Sequence, residues 1–316
     1  MVTICNFAPL SGLLHKLVTP YAMLIFLLQW LSMRLLPLLF SLTILMPAAQ
    51  ATEYLVQSTR TNFDGSHRYY IDLLNKVMDA SADKYGAATI AESPNNFSQN
   101  RGFLGLEDGW IDIFWAGSTT EREKNSLPIR IPLYAGLLGR RVPVIRRGDL
   151  TKFQDIHEEA ALKALTACQG DQWPDSDILE SAGYTLELVH KFELMYNMLR
   201  AGRCDYFPRA ITEVYAELEG YGGDDLIVFD HIIISYPFPM YFFVAKDNVA
   251  LAERLTYGLG KMVTSGELRN FLQTHPTTKD AFPLTRFDDA LIFDLPNISL
   301  PNTTPINNPK LWIPFK

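Results

Sequence analysis

From Thr52 onward, short β-rich runs alternate with stretches whose apolar residues recur at helical spacing, and that alternation confines the chain to an α/β fold with largely parallel sheets. Tyr54-Leu55-Val56 predicts a first strand. Tyr70, Leu74, Val77 and Met78 then share one helical face. Trp110 to Trp115 reads as a second clear strand and closes on the polar loop Ala116-Gly117-Ser118-Thr119-Thr120. A polar loop at the carboxyl end of a parallel strand is where α/β proteins place ligands. No internal repeat or low-complexity tract breaks the pattern.

Near Arg140, the residues Val142, Val144 and Ile145 read as a strand leaving this first unit. A second α/β unit follows. Its strands are expected near Ala164 to Ala167, Thr185 to Val189 and Cys204 to Phe207. Between them lie a turn at Gly170-Asp171-Gln172-Trp173, a helix from Ser176 ended by Gly183, and a helix from Glu193 to Ala201 with Gly202 behind it. Tyr236 to Met240 and a strand Tyr241 to Ala245 lead away again. Leu251, Leu255, Leu259 and Met262 stripe one late helix, and Leu268, Phe271 and Leu272 another. Two crossing strands around a unit of about 100 residues predict one domain inserted into another. Lobe one then comprises residues 52–139 plus 242–316, and lobe two residues 140–241, with the ligand cleft between them. The prolines at 296, 301, 305, 309 and 314 predict an extended tail, anchored by Trp312.

The first 51 residues contain no Asp or Glu, and Lys16 and Arg34 are their only permanent cations. Met33-Arg34 reads as a positive n-region, Leu35 to Met46 as an apolar h-region and Ala49-Gln50-Ala51 as a small-x-small cleavage site, with Met33 as the expected initiator. Residues 1–51 are thus expected to be a signal segment whose cleavage leaves Thr52 first, placing the body in the periplasm; the rival is a retained anchor. Cys5 leaves with the segment. Cys168 and Cys204 remain in an oxidising compartment, as a disulfide or as two buried thiols.

Lys and Arg total 28 against 35 Asp and Glu, a formal net charge of -7, so nucleic acid is not an expected partner. No H-E-x-x-H, G-x-S-x-G or G-x-x-x-x-G-K-[ST] pattern occurs, and Gly258-Leu259-Gly260-Lys261 lies inside a helical stripe. Neither a metal site nor a catalytic site is expected, and His67 and His231 read as surface or core residues. Asn96, Asn297 and Asn302 begin glycosylation patterns that matter only in a eukaryotic secretory route.

Several segments carry a family likeness: Gly109-Trp110-Ile111-Asp112, then Ala116 to Arg122, Gly170, Leu199-Arg200-Ala201-Gly202-Arg203-Cys204-Asp205, and Lys261 to Leu268. In that order and spacing the chain resembles the type II periplasmic solute-binding proteins of the amino-acid branch, family 3, over residues 53–275. The resemblance implies a two-lobed fold, each lobe a mostly parallel sheet flanked by helices. It also implies a monomer without a cofactor that captures a small solute by hinge closure and presents it to an ABC permease. A ligand-sensing module for a membrane receptor and an extracytoplasmic enzyme on the same scaffold are the alternatives. In the family, the Thr and Arg of the segment matching 116–122 grip the ligand carboxylate. Its amine-binding Asp, however, falls here on Ala210, beside Arg209, with Glu213 one helical turn further on as the available substitute.

The expected ligand residues are therefore Ser118, Thr119, Thr120, Arg122, Gly170, Trp173, Arg209 and Glu213. Arg122 offers forked donors at a helix start, suited to a carboxylate or phosphate, or else it is an exposed arginine on a charged helix. The hydroxyls of 118–120 contact ligand, cap that helix, or both. Together, Arg122 and Arg209 predict an anionic solute; the rival for Arg209 is a structural pair with Glu213 or Glu217. Trp173 sits in a polar loop as a candidate stacking wall, with Trp115, Tyr69 and Phe63 as ring candidates that also suit a core, and Arg60 and Arg101 as weaker cations.

Overall fold

Two strands, β1 (Thr52–Val56) and β2 (Ala88–Glu92), pair in parallel because α1 (Gly65–Tyr85) carries the chain back between them. In the computed structural model described here, residues 51–59, 65–95 and 97–315 are placed; the signal segment, Cys5, Arg60, Phe63 and Asn96 lie outside the described residues. On α1, Tyr69, Tyr70, Leu73, Leu74, Val77 and Met78 are buried, each burial stabilising the fold by about 1.5–3 kcal/mol. The chain continues through α2 (Gln99–Glu107), β3 (Phe114–Gly117), α3 (Thr120–Asn125), β4 (Ser126–Pro128) and β5 (Arg140–Arg146). Next come α4 (Leu150–Gln154), α5 (Glu159–Lys163), β6 (Thr166–Gly170), α6 (Pro174–Ser181), β7 (Thr185–Val189) and α7 (Phe192–Arg200). Then follow β8 (Tyr206–Ala210), α8 (Val214–Tyr221), β9 (Leu226–Val228), β10 (Ile232–Ser235) and β11 (Met240–Ala245). Helices α9 (Val249–Ser265) and α10 (Glu267–Thr274) precede the last strand, β12 (Leu291–Asp294).

The strands form two systems. One holds the β1–β2 pair and a small antiparallel sheet ordered β3-β11-β4; the other is a seven-stranded sheet ordered β12-β10-β5-β8-β6-β7, with β9 beside β5. Parallel pairing holds for β6 with β7 and β8, and for β10 with β12, whereas β5 runs antiparallel to β8, β9 and β10. The sheets are therefore mixed rather than mostly parallel, since β5 and β11 both run against their neighbours.

The strand expected over Trp110 to Trp115 begins only at Phe114. Gly109 adopts φ 72°, the amides of Trp110 and Ile111 both bond the Gly105 carbonyl, and the Asp112 carboxylate accepts from the Leu55 amide at 2.7 Å. Those bonds hold residues 110–112 against the end of α2 and β1, so the ladder starts late. Gly258 explains the late glycine pair: a Cβ there would stand 2.5 Å from the Val77 carbonyl oxygen, so its absence lets α9 touch α1. Among the described residues, no helix is long and apolar enough to cross a membrane.

The tail is not extended as expected: after the short β12 it runs through successive turns, with Thr304 bonding Pro301, Asn308 bonding Pro305 and Trp312 bonding Asn308, and it touches several parts of the fold. β12 pairs with β10, the Asn297 side chain donates to the Pro237 carbonyl, the Thr120 amide donates to Ser299, and Trp312 lies over Gly136. Cys168, in β6, is bonded to Cys204, just before β8, with Cα atoms 5.5 Å apart. Of the two readings left open, the disulfide is the one present.

His275 ends α10 and is buried against Tyr69 and Phe271. Its Nδ1 accepts from the Thr277 amide, so the ring proton sits on Nε2, facing Asp72 at 3.3 Å. Burial lowers the pKa, Asp72 opposes that, and Arg68 adds to it. A base held below its ordinary value is protonated first in the unfolded chain. Stability is therefore full above about pH 6.5 and declines as pH falls through the folded pKa. Denaturation midpoints at pH 7.5 and 5.5 should separate less in His275→Gln than in the wild type; equal separations would remove His275 as a source of the acid sensitivity.

Candidate functional site

The carboxyl ends of β1, β3 and β6, the start of α1, and both chain crossings converge on a cavity of about 90 Å³. The first strand system, with α1, supplies Gln57, Ser66, His67, Tyr70, Trp115 and Gly117. Trp173, Pro174, Asp175, Arg209 and Glu213 face them from the large sheet, while Leu138, Arg141, Phe238 and Met240 come from the crossings. Tyr70 stacks on Trp115 with centroids 4.8 Å apart, and His67, bonded to Glu92 at 3.0 Å, tilts against the same indole at 5.4 Å. Gln57 Oε1 and Ser66 Oγ line this chamber buried and without a hydrogen-bond partner among the described residues. Leaving such an atom unpaired costs about 1–3 kcal/mol.

The charges in the chamber wall are matched internally. Arg209 forks onto Glu217 (Nε to Oε2 2.7 Å, Nη2 to Oε1 2.5 Å) and donates to Glu213 at 2.9 Å, while Tyr196 donates to Glu217 at 2.9 Å. Arg141 bonds Asp175, which also accepts from the Tyr236 hydroxyl, and lies 3.8 Å from Glu213. Burial alone would depress both guanidiniums; Glu217 and Glu213 raise Arg209 well above the usual value, and Asp175 with Tyr236 and Glu213 raises Arg141. Two buried guanidiniums thus face three buried carboxylates. The expectation of an anionic solute is overturned here, because it needed Arg209 unpaired; Arg209 takes the rival part, a structural pair with both Glu213 and Glu217.

At Gly170, an expected ligand contact, the backbone amides are used within the fold. The Gly170 amide donates to Gln169 Oε1, that of Asp171 to Val189 and that of Trp173 to Gly170, while Pro174 has no N–H. Asp175 then places a carboxylate in the first turn of α6. Gly170 has a packing role: a Cβ there would come within 2.6 Å of the Trp173 ring. Trp173 in turn covers the Arg209 guanidinium, 5.2 Å from its ring centroid, a contact worth about 0.5–2 kcal/mol.

In the first loop the expected residues separate. Thr119 is the N-cap of α3, its hydroxyl accepting from the Arg122 amide at 3.2 Å. Ser118 is buried with its hydroxyl on Glu123 at 2.6 Å, and Thr120 bonds Ser299 of the tail. Arg122 donates to the Gly117 carbonyl at 2.7 Å, to Gln99 Oε1 at 2.5 Å and to the Gln172 carbonyl at 3.3 Å, and its guanidinium covers Phe103 at 5.2 Å. Burial pushes it down to about 10, with Asp175 and Asp177 resisting, so it stays charged at neutral pH. Trp173, Arg209 and Glu213 are thus brought to the chamber, Arg122 bonds Gly117 and Gln99 of its lining while itself lining a neighbouring cavity, and Ser118, Thr119, Thr120 and Gly170 are engaged elsewhere. Of the weaker candidates, Trp115 lines the chamber, Tyr69 is core, and Arg101 lies 6.0 Å over Phe97.

Sequence reasoning missed Gln57, Ser66, Tyr70, Arg141 and Asp175. Gln57 had a signal, since it follows β1 at its carboxyl end. Arg141 had none, since a charged residue inside an apolar strand gives no hint of its partner. Among the described residues no group of three or more His, Cys, Asp or Glu side chains could hold a metal.

No family model matches the chain, and no curated protein matches it. Solved structures do match. A Salmonella typhimurium periplasmic binding protein noted for high arginine specificity aligns over 71% of this chain and 98% of its own, at 18% identity and TM-score 0.55. An ancestral arginine-binding protein bound to glutamine covers 71% and 97% at 18% identity and TM-score 0.53. A histidine kinase sensor domain similar to periplasmic binding proteins covers 70% and 94% at 14% identity and TM-score 0.53. At these identities the likeness establishes the fold: the chain has the two-lobed α/β fold of the type II periplasmic binding proteins.

Proposed function

We propose that the protein is an extracytoplasmic solute-binding protein that closes on a small amine-bearing solute, an amino acid or a comparable zwitterion, and delivers it to an ABC permease. The observation that carries this reading is the acceptor Gln57 Oε1 and the Ser66 hydroxyl, which can accept or donate, both without a partner among the described residues in a chamber whose cations are already matched by carboxylates. An ammonium supplies the donor that Gln57 Oε1 lacks and one that the Ser66 hydroxyl can accept, and the Tyr70 and Trp115 rings favour a cation nearby. The arginine- and glutamine-binding neighbours support the same class of solute. The expected lobe boundaries fall at 139/140, where β5 begins, and at 241/242, inside the paired strand β11, so flexing is expected just ahead of β5 and in the segment 236–239 ahead of β11, and export with cleavage before Thr52 leaves β1 whole. Binding needs no bond to be made or broken.

Thermal shift and calorimetry on the purified protein test this with glycine, alanine, lysine, arginine and dicarboxylates. A true ligand at 100 times its Kd adds about 2.7 kcal/mol of stability, and Gln57→Ala should weaken it at least tenfold. A dicarboxylate as best ligand, or no ligand among amines and amino acids, would overturn the reading. A second reading, a sensor presenting the same solute to a membrane receptor, is supported by the sensor-domain neighbour. Loss of solute uptake in a deletion strain favours import; intact uptake with a lost transcriptional response favours sensing.

A further inference from the structure

Past α10 the chain leaves the first strand system and crosses to the large sheet. There β12 pairs with β10, while Arg286 bonds Asp230 at 2.9 Å and covers the Tyr215 ring at 4.5 Å. The tail then crosses back. The Leu295 amide still bonds Ser235, but the Ser299 carbonyl, four residues on, accepts from the Thr120 amide at the start of α3 at 3.0 Å. On the way, the Asn297 side chain donates to the Pro237 carbonyl at 2.9 Å, inside the segment that joins β10 to β11. The end of the tail returns to the other join, ahead of β5. The Ile313 amide donates to the Ala135 carbonyl at 2.9 Å, Trp312 lies over Gly136, and Phe315 covers the Arg140 guanidinium at 5.1 Å. Both segments that connect the two strand systems are therefore held by the tail. We infer that the tail is a splint across the hinge, a third link between the lobes that limits how far the cleft opens.

The inference goes beyond the proposed function and takes from it only the hinge positions. Two short connecting segments alone bend through a few backbone dihedrals. Here a bend at 236–239 has to break the Asn297 bond or drag β12 with it, and a bend ahead of β5 has to peel Trp312 and Phe315 from Gly136 and Arg140. A Cβ at Gly136 would collide with the Trp312 ring, so the indole occupies the place of a side chain. Slack is small as well. Four residues span at most about 14 Å when fully extended, and Asn297 Oδ1 shortens the link by accepting from both the Ser299 amide and its hydroxyl at 2.9 Å. A splinted hinge keeps the solute-free protein near its bound geometry, so binding loses less to ordering.

The test measures opening directly and needs no solute. Nitroxide labels are placed at Glu107→Cys and Lys191→Cys, both exposed positions. Glu107 lines one side of the cavity beside Arg122; Lys191 follows His190, which bonds Asp171 on the other side at 2.8 Å. The protein without added cysteines reports labelling of any other thiol. Double electron-electron resonance on the otherwise unsubstituted labelled protein should give one narrow distance distribution. Asn297→Ala and Trp312→Ala, singly and together, should broaden it and add a population longer by more than about 2 Å. Ile306→Ala, at an exposed position of the same tail, should leave it unchanged. Melting curves verify that each variant is folded, and the single variants decide the matter if the double one is not. Identical distributions with and without the substitutions overturn the splint, as does a parent distribution already as broad as theirs. Because no solute enters the measurement, failure of the solute-binding reading leaves this result standing.

Discussion

Arg209→Ala is expected to destabilise the protein by about 3–5 kcal/mol in chemical denaturation, because truncating one partner leaves the others buried without a counter-charge. Arg209 is 5% exposed, Glu213 5% and Glu217 3%, so water cannot replace the guanidinium. Its ring contacts with Trp173, Phe192 and Phe207, at 5.1 to 5.4 Å, go with it. The double variant Arg209→Met with Glu217→Leu should recover part of the loss, since removing a buried pair together costs less than breaking it. A loss under about 1 kcal/mol for Arg209→Ala would show that the network is solvated.

The second large effect is at the disulfide. Joining Cys168 to Cys204 closes a loop of 36 residues, and restricting the unfolded chain to that extent stabilises the fold by about 4 kcal/mol at most. It staples β6 to the entrance of β8, the strands that present the Gly170–Trp173 loop and Arg209. The double variant Cys168→Ala, Cys204→Ala should lose about 2–4 kcal/mol, with the melting temperature falling accordingly. Both sulfurs are buried, so mild reductant should leave the native protein unchanged and act only as it unfolds. Rapid reduction under native conditions, or a loss below about 1 kcal/mol, would contradict this.

Local signals carried the fold class. Tyr54 to Val56, the α1 stripe and the Leu251 to Met262 stripe are legible because each signal is local, set by the spacing of apolar residues along one element. Trp110 misleads because its β-rich neighbourhood is overridden by Gly109 and by the Asp112 bond to Leu55, a contact 57 residues distant in sequence. β12 was invisible for a similar reason: Leu291–Asp294 is a strand because β10 is beside it, and no pattern in four residues announces that. At the site, the loop at 116–122 was found from its place after a strand, yet what its side chains do was not. Arg209 shows why. The same residue reads as an anion anchor or a structural cation depending on whether Glu217, eight positions later, is turned toward it.

β12 also protects the molecule from itself. Without it, the consecutive residues Ile232, Ile233 and Ile234 of β10, each no more than 1% exposed, would form the rim of the large sheet, with bare amides and carbonyls ready to pair with another chain. β12 takes that rim, is only four residues long, and is followed by Leu295 and then Pro296, which has no N–H to extend a ladder. A short piece of the tail thus caps the sheet edge whose apolar strand would otherwise be open to pairing with another chain.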